Sequence, residues 1–226
     1  MILKNIARRV LRRLRPWTRR LALAPQVLLE EMPEHPALFD QYRWMIAAGH
    51  KRTAGGWIYG GEFYPDYLTV GGATFAIRRT AEKYCTGKGL DIGAGFWPLP
   101  GSTPIDTVRG PGLAQTIDDI PDGSQDYVFS SHCLEHIEDW QPALDQWFGK
   151  LRPRGVMFLY LPHPTCKLWH MSNPYMAEVH KWVPTPEIVS QALCDRGLEV
   201  LDRDDGPDHF YSFFVCARKS GPGNGR

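Results

Sequence analysis

Gly93 and Gly95 directly follow the run Leu90-Asp91-Ile92 in the stretch KGLDIGAGFWPLPGSTPIDTV, residues 88–108. Glycine has no Cβ and tolerates positive φ, so a backbone turning here can bring its amides against a ligand. Asp106 stands eleven residues past Gly95, at the end of the next apolar run. An ionised carboxylate only accepts hydrogen bonds, and one at such a position can hold both hydroxyls of a ribose. Histidines close two later runs, His132 after DYVFSS and His163 after GVMFLYLP. Imidazole titrates near neutrality, which suits it to take a proton from a hydroxyl. His136, inside LEHI, reads as a residue that orients its loop through hydrogen bonds. His170 and His180 lie in CKLWHMSNPYMAEVHKW. With His163 and Cys166 their spacings match no zinc pattern, so solvent-facing loop histidines and no metal are the expectation.

Two phosphate-binding readings of the glycine turn fail on particular residues. A dinucleotide fingerprint needs a third glycine where Pro98 stands, which disfavours a nucleotide-dependent oxidoreductase. A P-loop needs GxxxxGK followed by Ser or Thr, and that is missing. Glycines for an amino-acid end, a carboxylate for a ribose and no phosphate grip together suit S-adenosylmethionine. A plain strand-to-loop turn with a surface Asp remains the alternative on these residues alone.

The elements that must position these groups alternate. Strands are expected at 89–93, near 104–108, at 126–131 and at 155–161, and helices at 74–86, 140–151 and 185–196. Two further strands, 198–203 and 210–218, flank the turn-rich DDGPD and predict an antiparallel hairpin. The pattern predicts an α/β fold with a mainly parallel sheet covered on both faces, its ligands beyond the carboxyl ends of the strands. The segment from Gly95 to Asp106 is too short for an ordinary crossover helix. FDQYRWMIAAGH predicts a helix. GGWIYGGEFYPDYLTVGG predicts an irregular loop whose Tyr59, Tyr64 and Tyr67 either close over a ligand or join the core.

Residues 87–162 resemble the class I S-adenosylmethionine-dependent methyltransferases. GLDIGAG is similar to their first motif, PDGSQDYVFSSHCLEHI to the stretch LPDGSFDxVxSSHxLEH, and LRPRGVMFLYLP to LKPGGxLxxxxP. The resemblance implies a Rossmann-like methyltransferase fold with S-adenosylmethionine as cofactor. It implies that Asp91, Gly93, Ala94 and Gly95 border the methionine end, that Asp106 takes the ribose hydroxyls, and that Ile117 and Asp118 lie near the adenine. Ser131 and His132 would line the space near the transferable methyl, with His132 and His163 as general-base candidates. Arg154 departs from the pattern by replacing the first glycine of the PGG turn. The shortened Gly95–Asp106 connection is similar to that of glycan and cell-envelope enzymes. O-methylation of a glycan, a lipid-linked sugar or a small molecule is therefore the expected activity, against a non-catalytic methyltransferase-like assembly subunit.

Composition frames the rest. A chain of 226 residues with 43% apolar side chains can bury one sizeable core, and no uncharged apolar run is long enough to span a bilayer. Five widely spaced cysteines without a CxxC pair fit reduced thiols and a cytoplasmic setting. The net charge of +1 hides a leader, residues 1–25, with eight basic and no acidic side chains, against 18 basic and 25 acidic in the remainder. Leu3, Ile6, Val10, Leu14, Trp17 and Leu21 form a helical stripe there, which predicts a peripheral contact with the anionic inner face of a membrane, against packing on the protein's own body or a partner, contact with a polyanion, or an organellar transit peptide. No nucleic-acid motif accompanies it. The expected organisation is a basic amphipathic helix at 1–25, an N-terminal helix with a lid or substrate loop at 26–73, the methyltransferase domain at 74–219 and a disordered tail at 220–226.

Overall fold

The computed structural model describes residues 45–69, 72–95, 97–106 and 116–221. The basic leader, the first half of FDQYRWMIAAGH, Phe96 and residues 222–226 lie outside the described residues.

The segment expected to be an irregular loop is instead a three-stranded antiparallel meander: β1 (Lys51–Thr53), β2 (Gly56–Tyr59) and β3 (Glu62–Pro65). Gly55, Gly60 and Gly61 take φ of 75°, 56° and 80° in its two turns. Two-residue turns of this kind need positive φ to match the twist of the flanking strands, and Gly60-Gly61 between aromatic runs is the signal the loop reading passed over. Tyr64 and Tyr67 are core residues, with their hydroxyls donating to Glu62 Oε2 and the His209 carbonyl. Tyr59 is half-buried and stacks on His50 with ring centroids 4.2 Å apart.

Helix α1 (Ala73–Ala81) follows, shorter than the expected 74–86. Residues beyond it turn onto the sheet, where Tyr84 Oη donates to Asp202 Oδ2 at 2.6 Å and its ring meets Phe158. Strands β4 (Gly89–Ile92), β5 (Thr103–Ile105), β6 (Gln125–Ser131), β7 (Leu151–Pro162), β8 (Leu198–Asp204) and β9 (Ser212–Lys219) form one sheet, in the order β5-β4-β6-β7-β9-β8. The first four are parallel, and β9 runs antiparallel to both β7 and β8. This is the expected mixed sheet with its terminal hairpin. Helices α2 (Trp140–Lys150) and α3 (Pro186–Asp195) stand close to expectation. Thr185 caps α3 by accepting from the Ile188 amide, and Pro186 sits where a missing N–H costs nothing.

Strand periodicity divides the interior into two chemically different cores. Tyr127 and Phe129 of β6, Phe158 and Tyr160 of β7 and Phe214 of β9 face one way, against Trp57, Tyr64 and Leu68 near the meander and Ile77 of α1. Val128, Met157, Leu159, Leu161, Val215 and Ala217 face the other way, under Leu144 and Trp147 of α2 and Val189 and Leu193 of α3. Aromatic side chains predominate in the first cluster and aliphatic ones in the second. The sheet thus presents its carboxyl edge between two rigid layers.

Candidate active site

β4 ends at Ile92 and the chain turns at Gly93, whose amide extends the ladder to the Ile105 carbonyl at 2.8 Å. Gly93 has φ of 78° and Gly95 of 54°. A Cβ at Gly93 would lie 2.3 Å from the Cys133 Cβ, so both conformation and contact demand glycine there. The Gly95 amide donates to Asp106 Oδ2 at 2.9 Å. Asp91, 1% exposed, accepts from the Leu99 amide at 2.7 Å through Oδ2, while Oδ1 has no hydrogen-bond partner. Burial pushes the Asp91 carboxyl up to about 7, partly offset by the Leu99 amide, and the charge of nearby Asp106 adds to the rise. Asp91, Gly93, Ala94, Gly95 and Asp106 therefore form one corner at the carboxyl ends of β4 and β5.

What holds that corner is the helix-free connection. Parallel β4 and β5 are joined by residues 93–102 alone. Leu99 is 1% exposed and pins the loop into the aromatic core, and Ser102 Oγ closes a turn onto the Leu99 carbonyl. A buried side chain and a buried carboxylate replace the packing a crossover helix would supply. β5 ends at Ile105 and Asp106 has already left the strand, short of the expected end at 108; residues 107 and 108 lie outside the described residues.

The other expected contacts are distributed as follows. Ser130 Oγ donates to the Ile92 carbonyl and ties β6 to β4, whereas Ser131 Oγ is buried without a partner at the end of β6. Ile117 and Asp118 lie in a single 3-10 turn, Ile117–Asp119. Ile117 packs on the aliphatic core, and Asp118 is exposed and accepts from Gln146 Nε2 of α2 at 2.7 Å. His163 follows β7; its amide donates to the Tyr211 carbonyl, and Nδ1 lies 2.7 Å from Thr165 Oγ1. Burial lowers its pKa from the ordinary value. It lines a narrow recess with Trp169, His170, Met171, His180 and Trp182.

His132 is held at φ of 49°, a conformation that L residues adopt at a cost of about 1–2 kcal/mol. Its ring lies among Tyr160, Trp169 and Phe210, and Nε2 is 2.8 Å from Ser212 Oγ. Burial drives its pKa well below the ordinary value. The residue that sequence reading missed is Glu135, fully buried with neither carboxylate oxygen hydrogen-bonded. Burial pushes it up to about 7. The expectation for His180 as a solvent-facing loop residue is corrected: it is 5% exposed and turned toward Glu135, because the Met176–His180 backbone turn folds it under the recess. His136 keeps its orienting role, with Nδ1 3.2 Å from the Val179 carbonyl. The signal in the sequence is the spacing of His132 and Glu135 in SHCLEH.

A family model described as a methyltransferase domain matches residues 35–203. Among solved structures, an S-adenosylmethionine-dependent methyltransferase from Mesorhizobium loti is 17% identical, with 66% of this chain and 99% of that chain covered and a TM-score of 0.50. The 1,6-didemethyltoxoflavin-N1-methyltransferase of Burkholderia thailandensis, with bound 1,6-didemethyltoxoflavin and S-adenosylhomocysteine, is also 17% identical, covering 69% and 81% with a TM-score of 0.51. At this identity the likeness is one of fold. No curated protein matches the sequence.

Proposed function

This chain belongs to the methyltransferase-domain family and uses S-adenosylmethionine, and from that premise we propose that it methylates an oxygen of a small-molecule or glycan acceptor. The observation that carries the reading is the corner at the ends of β4 and β5. A glycine turn there leaves open space beside Gly95, a buried carboxylate keeps one oxygen without a partner, and a second carboxylate braces the turn through the Gly95 amide. When bound, the cofactor supplies a methyl group made electrophilic by its sulfonium. Asp91, Gly93, Ala94 and Gly95 hold the amino-acid end, Asp91 Oδ1 receiving the ammonium that its burial leaves it ready to pair. Asp106 takes the ribose hydroxyls, Ile117 and Asp118 border the base, and Ser131 faces the reacting centre. Alignment of acceptor and methyl supplies several kcal/mol of the barrier.

His163 is the proton acceptor for an acceptor hydroxyl, supported by its place at the end of β7 and in the lining of the recess. His132 has one ring nitrogen against Ser212 and the other facing Glu135, so it acts by positioning its neighbours. Residues 1–25 hold the enzyme at an anionic membrane surface, where lipid-linked acceptors are found. Support for this comes from their charge pattern, and among the described residues no helix is long and apolar enough to cross a membrane. Liposome flotation tests it: equal binding with and without residues 1–25 removes the proposal.

Calorimetry with S-adenosylhomocysteine tests the site. Binding by the purified chain, weakened roughly 10- to 100-fold by Asp106→Ala, is expected from the loss of charge-assisted hydrogen bonds. No binding by the folded protein would overturn it. Comparing extracts treated with enzyme and cofactor by mass spectrometry identifies the acceptor as the species that gains one methylene.

A further inference from the structure

Three histidine nitrogens converge on one buried carboxylate oxygen. His132 Nδ1 and His136 Nε2 each lie 3.7 Å from Glu135 Oε1, and His180 Nε2 lies 4.0 Å from it. One donor atom from each of Glu135, His136 and His180 falls within 4.8 Å of the others. These separations are too long for hydrogen bonds, which close at about 2.7–3.2 Å for N–H···O. They come near the spacing of donors sharing one ion: ligands about 2.1 Å from a tetrahedral centre stand about 3.4 Å apart.

The opposite side of each ring decides what faces the carboxylate. Ser212 Oγ donates to the Phe210 carbonyl at 3.0 Å, so it accepts from His132 Nε2–H. His136 Nδ1 meets the Val179 carbonyl and must donate to it. With those protons committed, the neutral His132 and His136 rings turn lone pairs toward a carboxylate neither of whose oxygens is in a hydrogen bond. Lone pairs against lone pairs in a buried pocket are unfavourable unless a proton or a metal ion lies between them. Backbone and hydroxyl partners on the far nitrogens are the arrangement that fixes metal-bound histidines in orientation and tautomer.

From this geometry we infer that Glu135, His136 and His180, with His132 as a fourth donor, bind one divalent transition-metal ion beside the recess. Imidazoles with one carboxylate suit zinc, cobalt, manganese or iron rather than calcium or magnesium. The site joins segments distant in sequence, the turn after β6 and the stretch between β7 and α3, and His136 is its solvent-facing member. Because His180 also lines the recess that His163 borders, an ion there stands where an acceptor oxygen could become a further ligand. That use rests on the proposed function; metal binding itself does not.

The test uses the full chain, stripped with a chelator and titrated with cobalt(II) and zinc(II). One equivalent of cobalt is expected to give a visible ligand-field spectrum that zinc displaces, with a rise in Tm on loading. Glu135→Gln and His180→Ala should each weaken binding by more than about 100-fold, exceeding the loss typical of outer-shell changes. His170→Ala, in the recess but outside the cluster, should leave it unchanged. If a variant fails to fold, the solvent-facing His136→Ala serves in its place. Absence of stoichiometric binding by the folded wild type, or binding indifferent to these substitutions, would overturn the inference; the former means that Glu135 is simply a protonated buried acid. S-adenosylhomocysteine binding by the metal-free chain, measured alongside, separates failure of this site from failure of the cofactor reading.

Discussion

Asp91 gives the residue scale its clearest consequence. Its carboxyl titrates near 7 in the fold against an ordinary value of 3.8, so between these values the native state holds a proton that the unfolded chain has released. The group therefore contributes stability fully present below about 4, which is lost as pH rises through 7, at up to roughly 1.4 kcal/mol per pH unit. Denaturant midpoints of Asp91→Asn should lack that slope, and a wild-type curve of the same shape as the variant's would refute the assignment. A ligand ammonium reaching Oδ1 favours the charged form, so S-adenosylhomocysteine binding around pH 6–7 should release a proton. Calorimetry in two buffers of different ionisation heat reads this directly. Gly93→Ala should cost at least about 1–3 kcal/mol through its φ and the Cys133 contact, and should remove ligand binding.

At the scale of elements, two irregular segments do most to place the site. The loop joining β4 to β5 depends on Leu99, so Leu99→Ala should cost about 2–4 kcal/mol in chemical unfolding. It should also weaken S-adenosylhomocysteine binding without touching the ligand, since the loop carries Gly95 to Asp106. Between the pairs Gln125↔Leu151 and Tyr127↔Val156, β6 advances two residues and β7 five. Arg154 sits in that excursion at φ of 65°, the left-handed region where its family pattern has glycine. Arg154→Gly should raise stability by about 0.5–1 kcal/mol, relief of strain exceeding the added chain entropy. A fall in Tm would show that the arginine side chain repays its backbone.

Across the whole molecule, the aromatic face of the sheet binds distant segments into one body. Asn173, fully buried in the stretch after β7, donates through Nδ2 to the Leu168 carbonyl and to His50 Nε2, while His50 Nδ1 donates to Met45. Asn173→Ala removes the partner of the Leu168 carbonyl and of His50 Nε2 and should cost about 1–3 kcal/mol. Because the same stretch carries His180 and the recess, this variant should lose acceptor turnover more than S-adenosylhomocysteine affinity, a split that steady-state kinetics and calorimetry together resolve.

What sequence alone determined was whatever local order and period encode. Alternating strands and helices, the final hairpin, the glycine turn with its carboxylate and the methyltransferase resemblance all lie in contiguous text. GGWIYGGEFYP was legible too, had its paired glycines been read as hairpin turns. Only the tertiary structure could show that Cys133 excludes any side chain at Gly93, that Leu99 substitutes for a helix, and that His180 meets Glu135. Each depends on residues tens of positions apart brought together by sheet order, and burial then changes the chemistry of the groups so enclosed. A carboxylate such as Glu135 reads as a surface acid in any sequence; desolvation and three facing imidazoles make it a site.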